Sequence, residues 1–319
     1  MRKYFGTDGI RRIANSELTP ELVYKVAKAG AYVLSKHTNH TPTIFIGRDT
    51  RISGTLIEAA MTAGFLSYGA NVKQLGVIPT PGVAYLTKRY KADASVVISA
   101  SHNTYEFNGI KYFSNKGMKI PDTLEEEIEE VMDSGKLDEL TAINDKIGVA
   151  ENREDLLEEY VYFFRKNFEE ELENLDKENF VVALDTANGA TYQIADKVFT
   201  KLGIKHYIIN NEPNGININA NCGSTHIQGL QKFVVENKCD LGIAYDGDGD
   251  RCLAIDDKGN EIDGDKLLAI ISNYMKEKGT LKKDTLVATV MSNLGLSKYA
   301  EKNNINFEQT KVGDRYVLE

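Results

Sequence analysis

The chain has 319 residues, 42% of them hydrophobic and 27% charged, enough to bury real cores and to divide into two or three domains. Its formal charge of −9 argues against nucleic acid or an anionic membrane as the main partner, and no uninterrupted apolar run reaches membrane-spanning length. Cys222, Cys239 and Cys252 form neither an even set nor a metal-binding spacing, and the basic start MRKYFGTDGIRR has no apolar core behind it, so a cytoplasmic protein is expected.

Residues 1–150 read as one α/β domain. Phe5–Arg12 carries glycines for a tight turn that can accommodate a phosphate, with Arg11 able to pair with an anion; an ordinary N-terminal loop is the competing reading. An amphipathic helix is predicted over Glu21–Lys36 and a strand over Thr43–Ile46, followed by Arg48, Asp49, Thr50 and Arg51. We read those two arginines and the aspartate as an ion-pair network that holds the Ser101 loop rather than as catalytic groups. A helix over Thr55–Tyr68, a strand over Asn71–Leu75 and a helix from Pro79 to about Tyr90 come next.

The apolar, β-branched run Val96–Ile98 predicts a buried strand that empties into Ser99, Ala100, Ser101, His102 and Asn103. Ser101 then sits where open α/β sheets bind ligands, beyond a strand's carboxyl end; a plain polar turn is the alternative. His102, Asn103 and Lys111 bring an imidazole, an amide and an ammonium close to that hydroxyl in sequence. Gly109–Phe113 and Met118–Ile120 predict a hairpin, and Thr123 with Glu126 a capping box on an acidic helix that ends near Gly135.

A second domain is expected over residues 151–253. It starts with a helix over Asp155–Leu172 whose stripe of Leu156, Leu157, Tyr160, Val161 and Phe164 faces a core, and continues with strands over Phe180–Leu184, Ile204–Ile209 and Leu241–Tyr245. The last strand delivers Asp246, Asp248 and Asp250, spaced by Gly247 and Gly249 and followed by Arg251. Three carboxylates this close repel unless a cation or protons neutralise them, and their hard oxygens suit Mg²⁺ or Ca²⁺ better than Zn²⁺. An EF-hand fails, because Arg251 and Asp257 stand where it needs glycine and glutamate. A phosphatase with Asp246 as nucleophile and Asp248 as acid stays open, as does a solvated acidic turn. A phosphoryl group on Ser101 would supply the ligand these aspartates lack, so Ser101 joins Asp246, Asp248 and Asp250 as a Mg²⁺ ligand, with Arg251 bracing the phosphoryl oxygens. Residues 254–319 begin a third α/β segment, with a helix from Gly264 to about Lys278, a strand over Leu286–Met291 and a helix over Leu296–Asn303.

FGTDGIR (Phe5–Arg11), GRDTRISG (Gly47–Gly54), ASHN (Ala100–Asn103), NGIK (Asn108–Lys111), DGDGDR (Asp246–Arg251) and VGDRYV (Val312–Val317) stand in the order found in the α-D-phosphohexomutases, which the chain resembles over essentially its whole length. PTPGVAYL (Pro79–Leu86), DTANGA (Asp185–Ala190) and PNGININANCGS (Pro213–Ser224) are most like the bacterial branch that acts on glucosamine phosphates. The chain departs from the family at Arg12, where glycine is usual, which adds a cation or alters the turn.

The resemblance implies successive three-layer α/β domains with mixed sheets, the third incomplete over residues 254–319 and the fourth absent, so that residues 1–319 are expected to turn over weakly or only to bind metal and phosphosugar. It implies an isomerase that interconverts glucosamine 6-phosphate and glucosamine 1-phosphate through phosphorylated Ser101 and a hexose bisphosphate, serving amino-sugar precursors of the cell wall. Enzymes for glucose or mannose phosphates share this chemistry and remain alternatives. Mg²⁺ is the implied cofactor, and a homodimer the implied assembly. Arg251 and Arg11 would steady phosphoryl oxygens. Lys111 or His102 would carry the hydroxyl proton; Lys111, which resembles the family's candidate base, is preferred, and it would need a depressed pKa to serve. Asn103, Gly313, Asp314 and Arg315 are expected to approach the sugar.

Overall fold

The computed structural model describes residues 3–318, apart from the side chains of Asp314 and Arg315. Its first part runs β1 (Ile10–Ile13), α1 (Pro20–Ser35), β2 (Thr43–Arg48), α2 (Gly54–Tyr68), β3 (Asn71–Val77), α3 (Thr80–Tyr90), β4 (Ala94–Ile98), β5 (Phe107–Ser114), α4 (Asp122–Asp133) and β6 (Ala150–Asn152). These strands form a six-stranded sheet in the order β1-β5-β4-β2-β3-β6, in which β5 runs against both neighbours and the other pairings are parallel. Side chains alternate across it. Ile44, Ile46, Val96, Ile98, Ile110 and Tyr112 pack under α1, α2 and α4, whereas Phe45, Val97 and Phe113 pack with α3 on the other face. Helix α1 begins at Pro20, and Thr19 Oγ1 caps it by accepting the Leu22 N–H at 3.3 Å.

The second part comprises α5 (Leu157–Phe168), β7 (Val181–Asp185), α6 (Ile194–Leu202), β8 (Lys205–Ile209), α7 (Gln228–Glu236), β9 (Leu241–Tyr245), β10 (Cys252–Asp256) and β11 (Glu261–Ile262). Its sheet has the order β11-β10-β9-β7-β8, parallel through β9, β7 and β8 and antiparallel at the β10 and β11 edge. One face shares a core with the first part, where Val83 and Leu86 of α3 meet Tyr160 and Val161 of α5 and Val182 and Leu184 of β7. The other face packs on Leu230 and Val234 of α7. The third part, α8 (Gly264–Glu277), β12 (Thr285–Thr289), α9 (Leu294–Lys302), β13 (Asn306–Thr310) and α10 (Asp314–Leu318), surrounds a two-stranded parallel sheet with a small core of Leu286, Ala288, Leu296, Ala300 and Ile305. The protein is thus an α/β protein with mixed sheets. No helix among the described residues is long and apolar enough to cross a membrane.

Several local expectations need correction. Arg11 and Arg12, expected in a turn, lie in strand β1 opposite Gly109 and Asn108 of β5; a four-residue strand with two arginines carries no readable alternation. Met118–Ile120 does fold back on β5, the Ser114 N–H donating to the Met118 carbonyl at 2.8 Å and the Ile120 N–H to the Tyr112 carbonyl at 3.2 Å. The pairing stays a single bridge, Phe113 to Lys119, rather than a full strand, and β1 covers the same edge only over Phe107–Ile110. The Thr123 and Glu126 box does not form: α4 starts at Asp122 behind Pro121, so Thr123 lies inside the first turn. The helix expected over Asp155–Leu172 splits into a 3₁₀ turn over Glu154–Leu156 and α5, which ends at Phe168. Strand β6 went unread, and the second sheet runs past the expected boundary at 253, through β10 to Ile262 in β11.

Helices α1 and α2 cross closely at Gly64, where an added Cβ would lie 2.6 Å from both Ala27 Cβ and the Tyr24 carbonyl oxygen. Gly64→Val is therefore expected to cost about 2 kcal/mol by overpacking. Urea unfolding followed by circular dichroism checks this, and an unchanged midpoint would contradict it.

Candidate active site

Ser101 is fully buried at the end of β4 and adopts a left-handed backbone, φ +53°. Its N–H donates to Ser99 Oγ at 2.9 Å, which tightens the turn out of the strand. The carbonyl oxygens of Ser101 and Asn103 accept from Arg51 Nη2 at 3.2 and 2.5 Å and from Asn219 Nδ2 at 2.9 Å each. Arg51 is itself paired with Asp49, both side chains being wholly buried. Of the network expected from the sequence, Arg51 and Asp49 thus hold the Ser101 loop, with Asn219 added, whereas Arg48 pairs with Glu58 at 3.0 Å instead. The Ser101 hydroxyl is left to face the second sheet, where Oγ donates to Asp246 Oδ2 at 2.7 Å.

Asp246, Asp248 and Asp250 occupy the loop between β9 and β10, and one ligand atom from each lies within 4.8 Å of the others. Both glycines between them are needed. Gly249 has φ +66°, and a Cβ on Gly247 would fall 2.6 Å from the Ser101 carbonyl oxygen. Burial first, then the charges of Asp248 and Asp250, pushes Asp246 up to about 7; burial and Asp248 also raise Asp250. Asp248 is lowered instead: burial opposes its ionisation, but Lys111 and Thr80 outweigh that. Thr80, at the start of α3, donates its hydroxyl to Asp248 Oδ2 at 2.7 Å and its N–H to the Asp248 carbonyl oxygen at 2.9 Å. Asp248 Oδ1 is buried without any partner. Oxygen donors alone, one orphaned and two biased towards protonation, fit a hard divalent cation.

Lys111 reaches this cluster from β5, opposite Val97 of β4. Its Nζ lies 2.9 Å from Asp248, 3.3 Å from Asp250 and 3.3 Å from Asp8, and the side chain is 3% exposed. Burial lowers its pKa, but Asp248, Asp250 and Asp8 outweigh burial and hold it above the ordinary lysine value. The depressed pKa that a general base needs is therefore absent in this arrangement, since three carboxylates surround the ammonium. Asp8 also pairs with Arg11 and with Lys119; burial raises its pKa, yet Lys111, Lys119 and Arg11 prevail and hold it at about 2. On the opposite rim, Arg251 donates its backbone N–H to Asp246 Oδ1 at 3.1 Å and a guanidinium N–H to His102 Nδ1, also at 3.1 Å. Since a guanidinium only donates, His102 Nδ1 is the acceptor and the ring proton sits on Nε2. Burial, then Arg251 and Arg11, lowers the His102 pKa, which keeps the ring neutral.

Ser101, His102, Asn103, Lys111, Arg251, Arg11 and the three aspartates are thus neighbours at the carboxyl ends of both sheets. Gly313 precedes α10, which packs on β12, and no hydrogen bond among the described residues ties it to this centre. The side chains of Asp314 and Arg315, expected near the sugar, lie outside what the structure describes. Arg12 faces Tyr4 and donates to the Lys3 carbonyl oxygen at 3.0 Å, rather than joining the aspartates. Sequence reasoning assigned no role to Asp8, Thr80 or Asn219. Each lies within a family-like stretch quoted above, but nothing in its residue type marks it as facing the centre.

Residues 2–139, 158–259 and 263–319 match, in that order, alpha/beta/alpha domains I, II and III of the phosphoglucomutase/phosphomannomutase family. The chain is 54% identical to the phosphoglucosamine mutase of Acetivibrio thermocellus over 320 residues, covering all of this chain and 70% of that protein. It is 52% identical to the phosphoglucosamine mutase of Clostridium acetobutylicum, with the same coverage. Among solved structures, a putative phosphomannomutase from Thermus thermophilus superposes with a TM-score of 0.84 at 22% identity, covering 98% of this chain and 70% of that one. An Aspergillus fumigatus N-acetylphosphoglucosamine mutase, solved with GlcNAc-6P and magnesium, superposes at 0.64 and 15% identity, covering 99% of this chain and 64% of that one.

The low pKa of Asp8 carries a pH prediction. A carboxylate held at about 2 in the folded state stabilises it above the unfolded carboxylate value, and that contribution fades as pH falls towards 2. The stability gap between the wild-type chain and Asp8→Asn should therefore narrow between pH 5 and pH 2.5 (both on the order of the carboxylate range) in denaturant titrations, and a gap that widens would contradict the assignment.

Proposed function

The chain belongs to the phosphoglucomutase/phosphomannomutase family, the α-D-phosphohexomutases, and from that premise we propose that it is a phosphoglucosamine mutase, interconverting glucosamine 6-phosphate and glucosamine 1-phosphate. The observation that carries the chemistry is the buried Ser101 hydroxyl 2.7 Å from Asp246, at the edge of three convergent carboxylates. The choice of sugar rests on 54% identity to a phosphoglucosamine mutase.

In this reading Ser101 Oγ carries the phosphoryl group. A sugar hydroxyl attacks phosphorus in line, the bond to Ser101 Oγ breaks, and a bisphosphorylated sugar results; transfer of its other phosphoryl group back to Ser101 completes the isomerisation. Asp246, Asp248, Asp250 and a phosphoryl oxygen on Ser101 would hold Mg²⁺. Bound there, the ion supplies positive charge that neutralises the carboxylates and draws electron density from the phosphoryl group. The hold of Arg51 on the Ser101 and Asn103 carbonyls fixes the direction of Oγ, which is the positioning that phosphoryl transfer requires. Arg251, 55% exposed, with Nε 3.9 Å from Asp250 and one guanidinium N–H on His102, would offer its remaining donors to phosphoryl oxygens. Arg11 acts from the Asp8 side. Lys111, the sequence candidate for the hydroxyl proton, is held here as an ammonium by three carboxylates and could accept it only once a cation draws Asp248 and Asp250 away. Neutral His102 beside Ser101 is therefore the acceptor available in this arrangement; Asn103 faces the sugar. The Asp246 phosphatase is less favoured, because both oxygens of Asp246 are engaged, by the Ser101 hydroxyl and the Arg251 N–H.

Assay of the full chain with Mg²⁺ and a catalytic amount of hexose 1,6-bisphosphate should give the highest kcat/KM for glucosamine 6-phosphate among the glucosamine, glucose and mannose 6-phosphates. Ser101→Ala should lose at least about 1,000-fold in kcat, the scale on which covalent catalysis depends on its nucleophile. A glucosamine phosphate that ranks last would overturn the substrate, and a Ser101→Ala variant with wild-type turnover would overturn the mechanism.

A further inference from the structure

The loop over residues 212–219 has no part in the chemistry described so far, although its sequence, within PNGININANCGS, is one of the family-like stretches. It crosses from the second sheet to the first. The Gly215 carbonyl oxygen accepts the Ile52 N–H at 2.9 Å, and Asn217 closes the loop on itself by donating to the Glu212 carbonyl at 3.0 Å and accepting the Asn214 N–H at 2.9 Å. Asn219 is 4% exposed and left-handed, φ +56°, a conformation asparagine tolerates better than most residues. Its own N–H donates to the Ala187 carbonyl oxygen at 2.9 Å, which ties it to the turn after β7.

The side-chain amide of Asn219 faces the Ser101 and Asn103 carbonyl oxygens at 2.9 Å each, and Arg51 Nη2 faces the same two oxygens. Two NH₂ groups carry four hydrogens and two carbonyl oxygens offer four lone pairs, so the set is satisfied with nothing left over. Arg51 comes from the first part of the chain, as Ser101 does; Asn219 alone comes from the second. The aspartate loop also rests on Asn219, since a Cβ on Gly247 would fall 2.7 Å from its Nδ2. One amide therefore touches the serine loop and the aspartate loop together.

We propose that Asn219 is a positioning residue, holding Ser101 against the aspartate loop by donating both hydrogens of its amide across the junction of the two sheets. The proposal rests on Ser101 as the phosphoryl carrier. The Asn219 amide is spent on two backbone carbonyls, so its loss lowers kcat and leaves KM largely unchanged.

Asn219→Asp tests donation itself. Aspartate keeps the size and the left-handed tolerance of asparagine, but its carboxylate would set two acceptors against two acceptors. Asn219→Gly removes the side chain without backbone strain. Donation predicts that Asp is at least as damaging as Gly, with kcat falling about 100-fold, the scale for a small misplacement of reacting groups, and KM within about twofold. A role in filling space predicts the reverse order, Asp near wild type and Gly impaired, and would overturn the proposal. So would a rise in KM with unchanged kcat. Hydrogen exchange gives a reading independent of activity: in Asn219→Gly the peptide covering residues 99–104 should exchange faster while that over β4 stays protected, and unchanged protection there would overturn the clamp. Ser101→Ala serves as the control. If it retains turnover, the phosphoserine reading fails, whatever Asn219 does; if it is inactive while Asn219→Asp is not, the positioning role fails alone.

Discussion

A serine hydroxyl from one sheet and a carboxylate from another meet at 2.7 Å, and the chemistry we assign depends on that distance. Neither loop could hold it alone. The Ser101 turn leaves β4 in a left-handed conformation and is kept there by bonds to its carbonyl oxygens from Arg51 and Asn219. The aspartate loop is pinned from the first part by Thr80, whose hydroxyl and N–H both bind Asp248, and is closed on itself by the bond from the Arg251 N–H to Asp246. Beneath these polar contacts the two parts share one apolar core, in which Val83 and Leu86 of α3 meet Tyr160 of α5 and Val182 of β7. That shared core prevents the two loops from drifting apart, and the polar contacts set their register.

Charge balance follows from the same closeness. Bringing three aspartates together in a buried loop raises Asp246 and Asp250, because burial and mutual repulsion both disfavour the ionised form. Lys111 offsets part of this, and for that reason it is held as an ammonium instead of being freed as a base. Asp8 divides its own charge among Lys111, Lys119 and Arg11. The three aspartates thus outnumber the one ammonium buried among them, an imbalance that a divalent cation would relieve, and the orphaned oxygen of Asp248 lies inside it. Proton transfer by Lys111 requires that this balance be shifted first.

Most of the helices and the parallel strands were legible, because each has a long period: the 3.6-residue stripe of α1, the apolar runs of β4 and β9, the glycine-spaced aspartates. Short edge strands were not. Strand β1 has two arginines in four residues, β6 is three exposed residues, and β11 only two, so each owes its conformation to a neighbour rather than to its own pattern. In the site, Ser101, His102, Lys111 and the aspartates could be read because motif and chemistry coincide. Asp8, Thr80 and Asn219 could not, because their part is to bond groups remote in sequence, 168 residues away for Thr80 and Asp248 and 118 for Asn219 and Ser101. Sequence periodicity carries no record of such pairings.

The claim that Ser101 is the phosphoryl carrier is tested most directly by intact mass and phosphosite mapping of the chain after incubation with Mg²⁺ and a hexose 1,6-bisphosphate. A single added phosphate on Ser101 that resists hydroxylamine is the predicted result. A hydroxylamine-labile phosphate on Asp246 would contradict the account, since it would make the carboxylate the nucleophile and the serine a bystander.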